Sequence, residues 1–116
     1  NLTAGVGINL SASSGNVIIS SSGTQSIIVN GVTSSYTATA GDEYIGVNST
    51  TNVTITLPVG VDGRVYYIKD EHGQGSGKIT LQPNGSDKID NANTYVISVP
   101  YQCTTIVYRA GQWRLI

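Results

Sequence analysis

Apolar and polar positions alternate from the first residues of the chain. Val6, Ile8 and Leu10 are interleaved with Gly5, Gly7 and Asn9, and after a Ser/Gly turn Val17 and Ile19 are interleaved with Asn16, Ile18 and Ser20. A period of two marks extended strand, so residues 2–23 read as two ribbons. Two ribbons make no core, and an isolated two-stranded unit is marginal in water. Their apolar positions need partners, and the simplest source is identical copies wound around one axis. On this reading Val6, Ile8, Leu10, Val17 and Ile19 form the contact between copies in an oligomeric shaft.

The rest of the chain continues in short alternating runs punctuated by Gly, Asn, Asp and Pro, with no window of helical period, which is the pattern of an all-β sandwich. A strand over 26–29 ends at Asn30-Gly31, a turn dipeptide, and Ser34–Gly41 is small, polar and non-periodic, a junction. Strands follow over 44–47, 53–57, 65–70, 78–82, 94–99, 104–109 and 113–116, with a short one at Lys88-Ile89. The predicted organisation is an extended arm and junction over 1–38 and a small antiparallel β-sandwich or jelly-roll head over 39–116. Ala110-Gly111 forms the tight turn that returns the last strand onto 104–109, and Trp113, Leu115 and Ile116 tie the chain end down.

At 116 residues there is room for one head and an arm. Charged residues make up only 11%, far below the ~25% of typical domains, so hydroxyls, amides and backbone must hydrate the surface. With a net charge of −1 there is no basic stripe for a phosphate backbone, which argues against nucleic acid and against anionic membranes. No transmembrane run is visible, so membrane insertion is not expected. A chain that begins at Asn1 and contains no Met reads as a piece of a longer protein. One Cys and one His allow no internal disulfide and no zinc spacing; Cys103 reads as a buried strand thiol, and neither metal nor cofactor is expected.

The candidate chemistry is correspondingly thin. Asp42, Glu43, Asp62, Asp70, Glu71, Asp87 and Asp90 fall mostly in predicted turns, where carboxylates do ordinary turn chemistry, so a catalytic pair is disfavoured. Gly73-Gln74-Gly75-Ser76-Gly77 precedes a strand, whereas phosphate-cradling loops precede a helix. The N-x-S/T triplets at Asn1, Asn48, Asn52 and Asn84 are expected by chance in so Asn-, Ser- and Thr-rich a chain. What suits a ligand is a set of turn residues with amides, an imidazole and an aromatic face: His72 and Gln74, Asn91 and Asn93, and Tyr101 and Gln102 after Pro100.

The whole chain resembles the distal part of trimeric phage tail fibres and related viral or bacterial surface fibres. The carrying segments are Leu2–Ile8, Gly15–Ser20, Asp42–Val47, Val53–Pro58, Ile68–Glu71, Ile79–Leu81, Lys88–Asp90 and Tyr108–Trp113. The resemblance implies a β-rich, intertwined homotrimer on a virion tail fibre or cell-surface fibre, whose tip recognises a receptor on a host or prey envelope, often a polysaccharide. It implies no receptor residues. The His-x-His repeats that thread metal in some such fibres are absent. Two other readings stay open: a purely structural cap that registers the trimer, and a glycan-cleaving enzyme.

Overall fold

The computed structural model describes residues 8–13, 16–21, 26–74 and 78–116, the first two segments by their backbone alone. It is all-β, with no helix among the described residues. Strands β1 (Ile8–Ser13) and β2 (Asn16–Ser21) form an antiparallel hairpin that sets Leu10 opposite Ile19. Val6, and the side chains of Ile8, Leu10, Val17 and Ile19, lie outside the described residues.

Beyond the hairpin the chain winds between two sheets. It visits β3 (Val29–Val32), β4 (Tyr36–Thr37), β5 (Tyr44–Val47), β6 (Val53–Thr56), β7 (Val65–Asp70) and β8 (Ile79–Gln82) in turn. The odd-numbered strands of this run pair in parallel in one sheet and the even-numbered strands pair in parallel in the other. The result is a parallel coil of three turns, each contributing one strand per sheet. β9 (Tyr95–Ile97) then adds antiparallel to β8, and the hairpin β10 (Cys103–Arg109) with β11 (Gln112–Leu115) adds antiparallel to β7. The sheet orders are β11-β10-β7-β5-β3 and β4-β6-β8-β9.

Both sheets are therefore mixed, and the expectation of an antiparallel sandwich is corrected. Strand positions were legible; pairing direction was not, because alternation reports which residues point inward and says nothing about strand polarity. The segment expected to be arm and junction also differs. Asn30-Gly31 makes no turn but lies within β3, and Tyr36–Thr37 is a strand, so residues 29–37 supply the first coil turn of the two-sheet body. Gly31 is exposed with open space where a Cβ would stand, and the dipeptide is held extended by its parallel pairing with Ile45-Gly46 of β5.

The inward positions of both sheets meet in one core: Val32, Ile45, Val47, Tyr66, Ile68, Ile106 and Trp113 from the larger sheet, Val53, Ile55, Ile79, Leu81 and Ile97 from the smaller. Trp113 is fully buried. Its ring lies 5.7 Å from Tyr66 and 5.2 Å, edge-on, from Tyr108, the tilted arrangements that ring quadrupoles favour. Tyr108 in turn packs over Gly60, where any Cβ would collide with its ring. The turn that delivers Trp113 has Ala110 at φ 53° and Gly111 at φ 85°, the left-handed pair of a type I′ hairpin. The last strand is thus returned onto β10 with Trp113 buried, as the sequence predicts, whereas Ile116, expected to help tie the end down, is 73% exposed and is held through its N–H to Thr105 O (2.9 Å).

One polar knot joins the coil's first turn to its second. Asp42 is buried, and its Oδ2 accepts hydrogen bonds from Tyr36 Oη (2.7 Å), Thr39 N (2.8 Å) and Thr39 Oγ1 (3.2 Å), its Oδ1 from Asn30 Nδ2 (3.3 Å). Burial pushes the Asp42 carboxyl up, but the donors outweigh it and hold the group below its ordinary value, while the bond to Asp42 raises the Tyr36 phenol.

Two measurements check this account. Trp113→Ala should lower unfolding free energy by about 3 to 5 kcal/mol in urea denaturation. Trp113→Phe should cost less, since the indole N–H it removes has no acceptor among the described residues. Asp42, with a folded pKa depressed below 3.8, stabilises the fold fully above that value and loses its contribution as pH falls through the depressed one. The stability gap between the parent and Asp42→Asn should accordingly be constant near neutrality and close in acid. A gap that widens in acid would contradict the assigned sign.

Candidate functional site

At its far end β7 turns a carboxylate inward. The alternation that buries Tyr66 and Ile68 also buries Asp70, completely. A buried carboxyl group must be met by hydrogen-bond partners, and two loops converge to supply them. Asp70 Oδ1 accepts from the backbone N–H of His72 (3.1 Å) and of Gly73 (2.8 Å), and Oδ2 accepts from the backbone N–H of Tyr101 (3.2 Å). Asp70 N–H itself donates to Gln102 O at 3.0 Å. One side chain thus fixes the loop after β7 and the turn before β10 relative to each other.

Tyr101 stands on this clamp in an uncommon conformation. Its φ is 62°, a left-handed backbone that costs a bulky residue energy and persists only where the surroundings impose it. Beyond the bond from its N–H to Asp70, its carbonyl accepts from Lys69 Nζ, and that ammonium sits 5.8 Å from the ring centroid. The ring lies against Gly73, which has φ 81° and no room for a Cβ. Even so, Tyr101 remains 58% exposed. His72 shares the Asp70 carboxylate with Tyr101 through its backbone N–H, and its Nδ1 lies 3.2 Å from Asn48 Oδ1.

Of the residues singled out from sequence, His72, Gln74, Tyr101 and Gln102 gather at this end, and Asn91 and Asn93 do not. Asn91 sits by Gln112, which pairs with Arg109 at the other end of β10, six residues from Cys103, or about 20 Å at strand rise. There its side chain is committed: Asn91 N–H donates to Gln112 Oε1 (2.7 Å) and Gln112 Nε2 donates back to Asn91 Oδ1 (2.8 Å). Asn93 Oδ1 accepts from Lys88 Nζ. Gln102 is saturated as well; its Oε1 accepts from Ser98 and Val99 N–H, and its Nε2 donates to Tyr95 Oη and Thr104 Oγ1. The Gln74 amide is buried without a hydrogen-bond partner among the described residues.

Comparison of the chain with protein-family models and with curated proteins finds no match. The site must therefore be read from its own chemistry. No cluster of three or more His, Cys, Asp or Glu that could hold a metal occurs among the described residues. Cys103, expected inside, is exposed on the outer face of β10, where odd-numbered positions point away from the core. Nearby, Glu71 lies over Gly46 and accepts from Tyr44 Oη at 2.6 Å. Burial first, and then the bond to Glu71, push the Tyr44 hydroxyl up to about 12, so it stays a donor across the neutral range.

Asp70, Lys69 and Gly73 were missed as site residues by sequence reasoning. Period-two alternation through Tyr66 and Ile68 could have exposed Asp70, since it places a carboxylate on the core face.

Replacing the clamp should show which part it plays. Asp70→Ala leaves three backbone donors without this acceptor, at about 1 to 3 kcal/mol for each one that stays buried and unsatisfied. Gly73→Ala should displace the Tyr101 ring while leaving the strands intact. In heteronuclear spectra the Gly73→Ala shifts should be confined to 70–74 and 98–103; shifts spread through β5 and β6 would refute a local clamp.

Proposed function

We propose that this chain is a non-enzymatic recognition tip of a homotrimeric fibre, and that it binds a glycan of a host or prey cell envelope through the Tyr101 turn and the His72 loop. The single observation that carries the reading is Tyr101. An exposed aromatic ring is held in a strained backbone by a buried carboxylate, a lysine and a glycine. Such strain gathers at binding sites, where it prepares a surface in advance. An exposed tyrosine face with the Lys69 ammonium 5.8 Å from its centroid suits a pyranose, whose apolar face stacks on a ring while its hydroxyls meet a polar neighbour.

Single contacts of this kind are weak, so trimerisation belongs to the reading. Three sites on one tip, and many tips per particle, raise effective concentration enough to turn weak contacts into firm attachment. The low surface charge agrees with a neutral ligand approached without electrostatic steering.

A structural cap is the second reading, favoured by a different feature. The coil ends where β9 covers β8 and the β10–β11 hairpin covers β7 in antiparallel fashion, which terminates a parallel stack. A glycan array probed with the intact chain separates the two. A recognition tip gives discrete signals that Tyr101→Ala reduces about tenfold or more while the melting temperature moves by no more than a few degrees, as for a largely exposed side chain. A cap gives none with either protein.

A further inference from the structure

The two sheets have four edges, and three are guarded. β11 is covered by residues 88–90, which lie before β9 in the chain: Trp113 N–H donates to Lys88 O, Asp90 N–H to Trp113 O, and Leu115 N–H to Asp90 Oδ2. β4 and β9 are edges of two and three residues, too short to template another strand. β3 is different. It ends the five-stranded sheet, and at its start Ile27, Ile28 and Val29 are 51%, 55% and 67% exposed. No Lys, Arg, Asp, Glu or Pro occurs anywhere in 26–41, so two of the devices against strand addition, charge and proline, are missing from this edge.

The ladder shows which groups are free. Tyr44 N–H donates to Ile28 O and Asn48 N–H to Val32 O, so the even residues of β3 address β5. By the two-residue period, Val29 and Gly31 turn their N–H and C=O groups outward. The same chain holds the complement, the β1–β2 hairpin. It is a two-stranded sheet without a third strand among the described residues, and seven residues separate Ser21 from Val29. Each copy thus carries one open edge and one hairpin short of partners.

We infer that the outward edge of β3 receives a strand of the arm hairpin from a second copy of this chain. The contact is head-to-tail, edge to hairpin, and such a contact closes into a ring when the rotation permits. It satisfies the backbone groups of Val29 and Gly31, covers Ile27–Val29, and gives the hairpin the third strand that two-stranded units need in water. The inference rests on the assembly part of the proposed function and names the surface through which copies meet; it is independent of Tyr101.

The test uses the full 116-residue chain at micromolar concentration, with sedimentation equilibrium and amide hydrogen exchange. The parent should associate, and the Val29 and Gly31 amides should be protected in proportion to the associated fraction. Gly31→Pro deletes an outward donor and leaves the β5 ladder its bonds, and Val29→Lys places a charge on the edge. Each should weaken association about fivefold or more, the worth of one backbone hydrogen bond, with Trp113 fluorescence reporting a folded body. Association of both variants as tight as the parent's overturns the edge while leaving the oligomer standing. A monomeric parent with rapid exchange at both amides overturns the edge and the trimer together. A monomeric parent with both amides protected overturns the second copy, because the chain's own arm then closes the edge.

Discussion

Everything described above hangs on the register of β7. It is the middle strand of the larger sheet, parallel to β5 on one side and antiparallel to β10 on the other. Both ladders must agree on which of its residues face inward. A slip of one residue would turn Tyr66, Ile68 and Asp70 to solvent and bring Tyr67 and Lys69 inside, because side chains alternate faces. The partner of Trp113 in the core and the anchor of the Tyr101 turn are thus set by one choice. Core and candidate site are two ends of the same strand.

Carboxylates serve here mainly as internal acceptors. Asp42 gathers donors from β3, β4 and the following loop, Asp70 joins two loops, Asp90 accepts from β11, and Glu43 takes the N–H of Ile28. The one ion pair found among the described residues, Arg114 to Asp90 at 3.9 Å, is exposed and of the kind that contributes little. Backbone N–H groups in tight loops need acceptors, and a carboxylate can accept several at once. A chain with so few charges can therefore fix long irregular connections without building a charged surface.

Much of this was legible in the sequence, and the failures have physical causes. Alternation located the strands, placed Tyr66 and Ile68 on one face, and marked Ala110-Gly111 as the turn returning Trp113 to the core, because each depends on local geometry alone. The parallel coil was hidden. Its turns are spaced unequally: Val29 stacks on Tyr44 and Tyr44 on Tyr67 in one sheet, Tyr36 on Ile55 and Ile55 on Leu81 in the other. With no fixed interval between stacked positions, there is no repeat to detect. Asn30-Gly31 has the composition of a turn, yet its conformation is decided by pairing with β5. Cys103 misled because burial was inferred from residue type, whereas its position in β10 sends it outward. At the site, sequence identified the exposed groups His72 and Tyr101, but it could not separate free amides from those of Asn91 and Gln102. That distinction is made by partners distant in the chain.

The unequal spacing has a consequence for how such a molecule can change. In the coil, strands are held by their ladders and by inward residues, while the connections leave and rejoin at fixed rungs. β7 ends at Asp70 and β8 begins at Ile79, and the parallel ladders on either side are set by their own rungs. The length of such a connection is thereby released from the ladders, whereas its composition is held at Gly73, which lies against Tyr101 with no room for a Cβ. A scaffold of this kind permits exchange of loops between its strands, with the anchoring carboxylate at the strand end as the fixed socket that each replacement must meet.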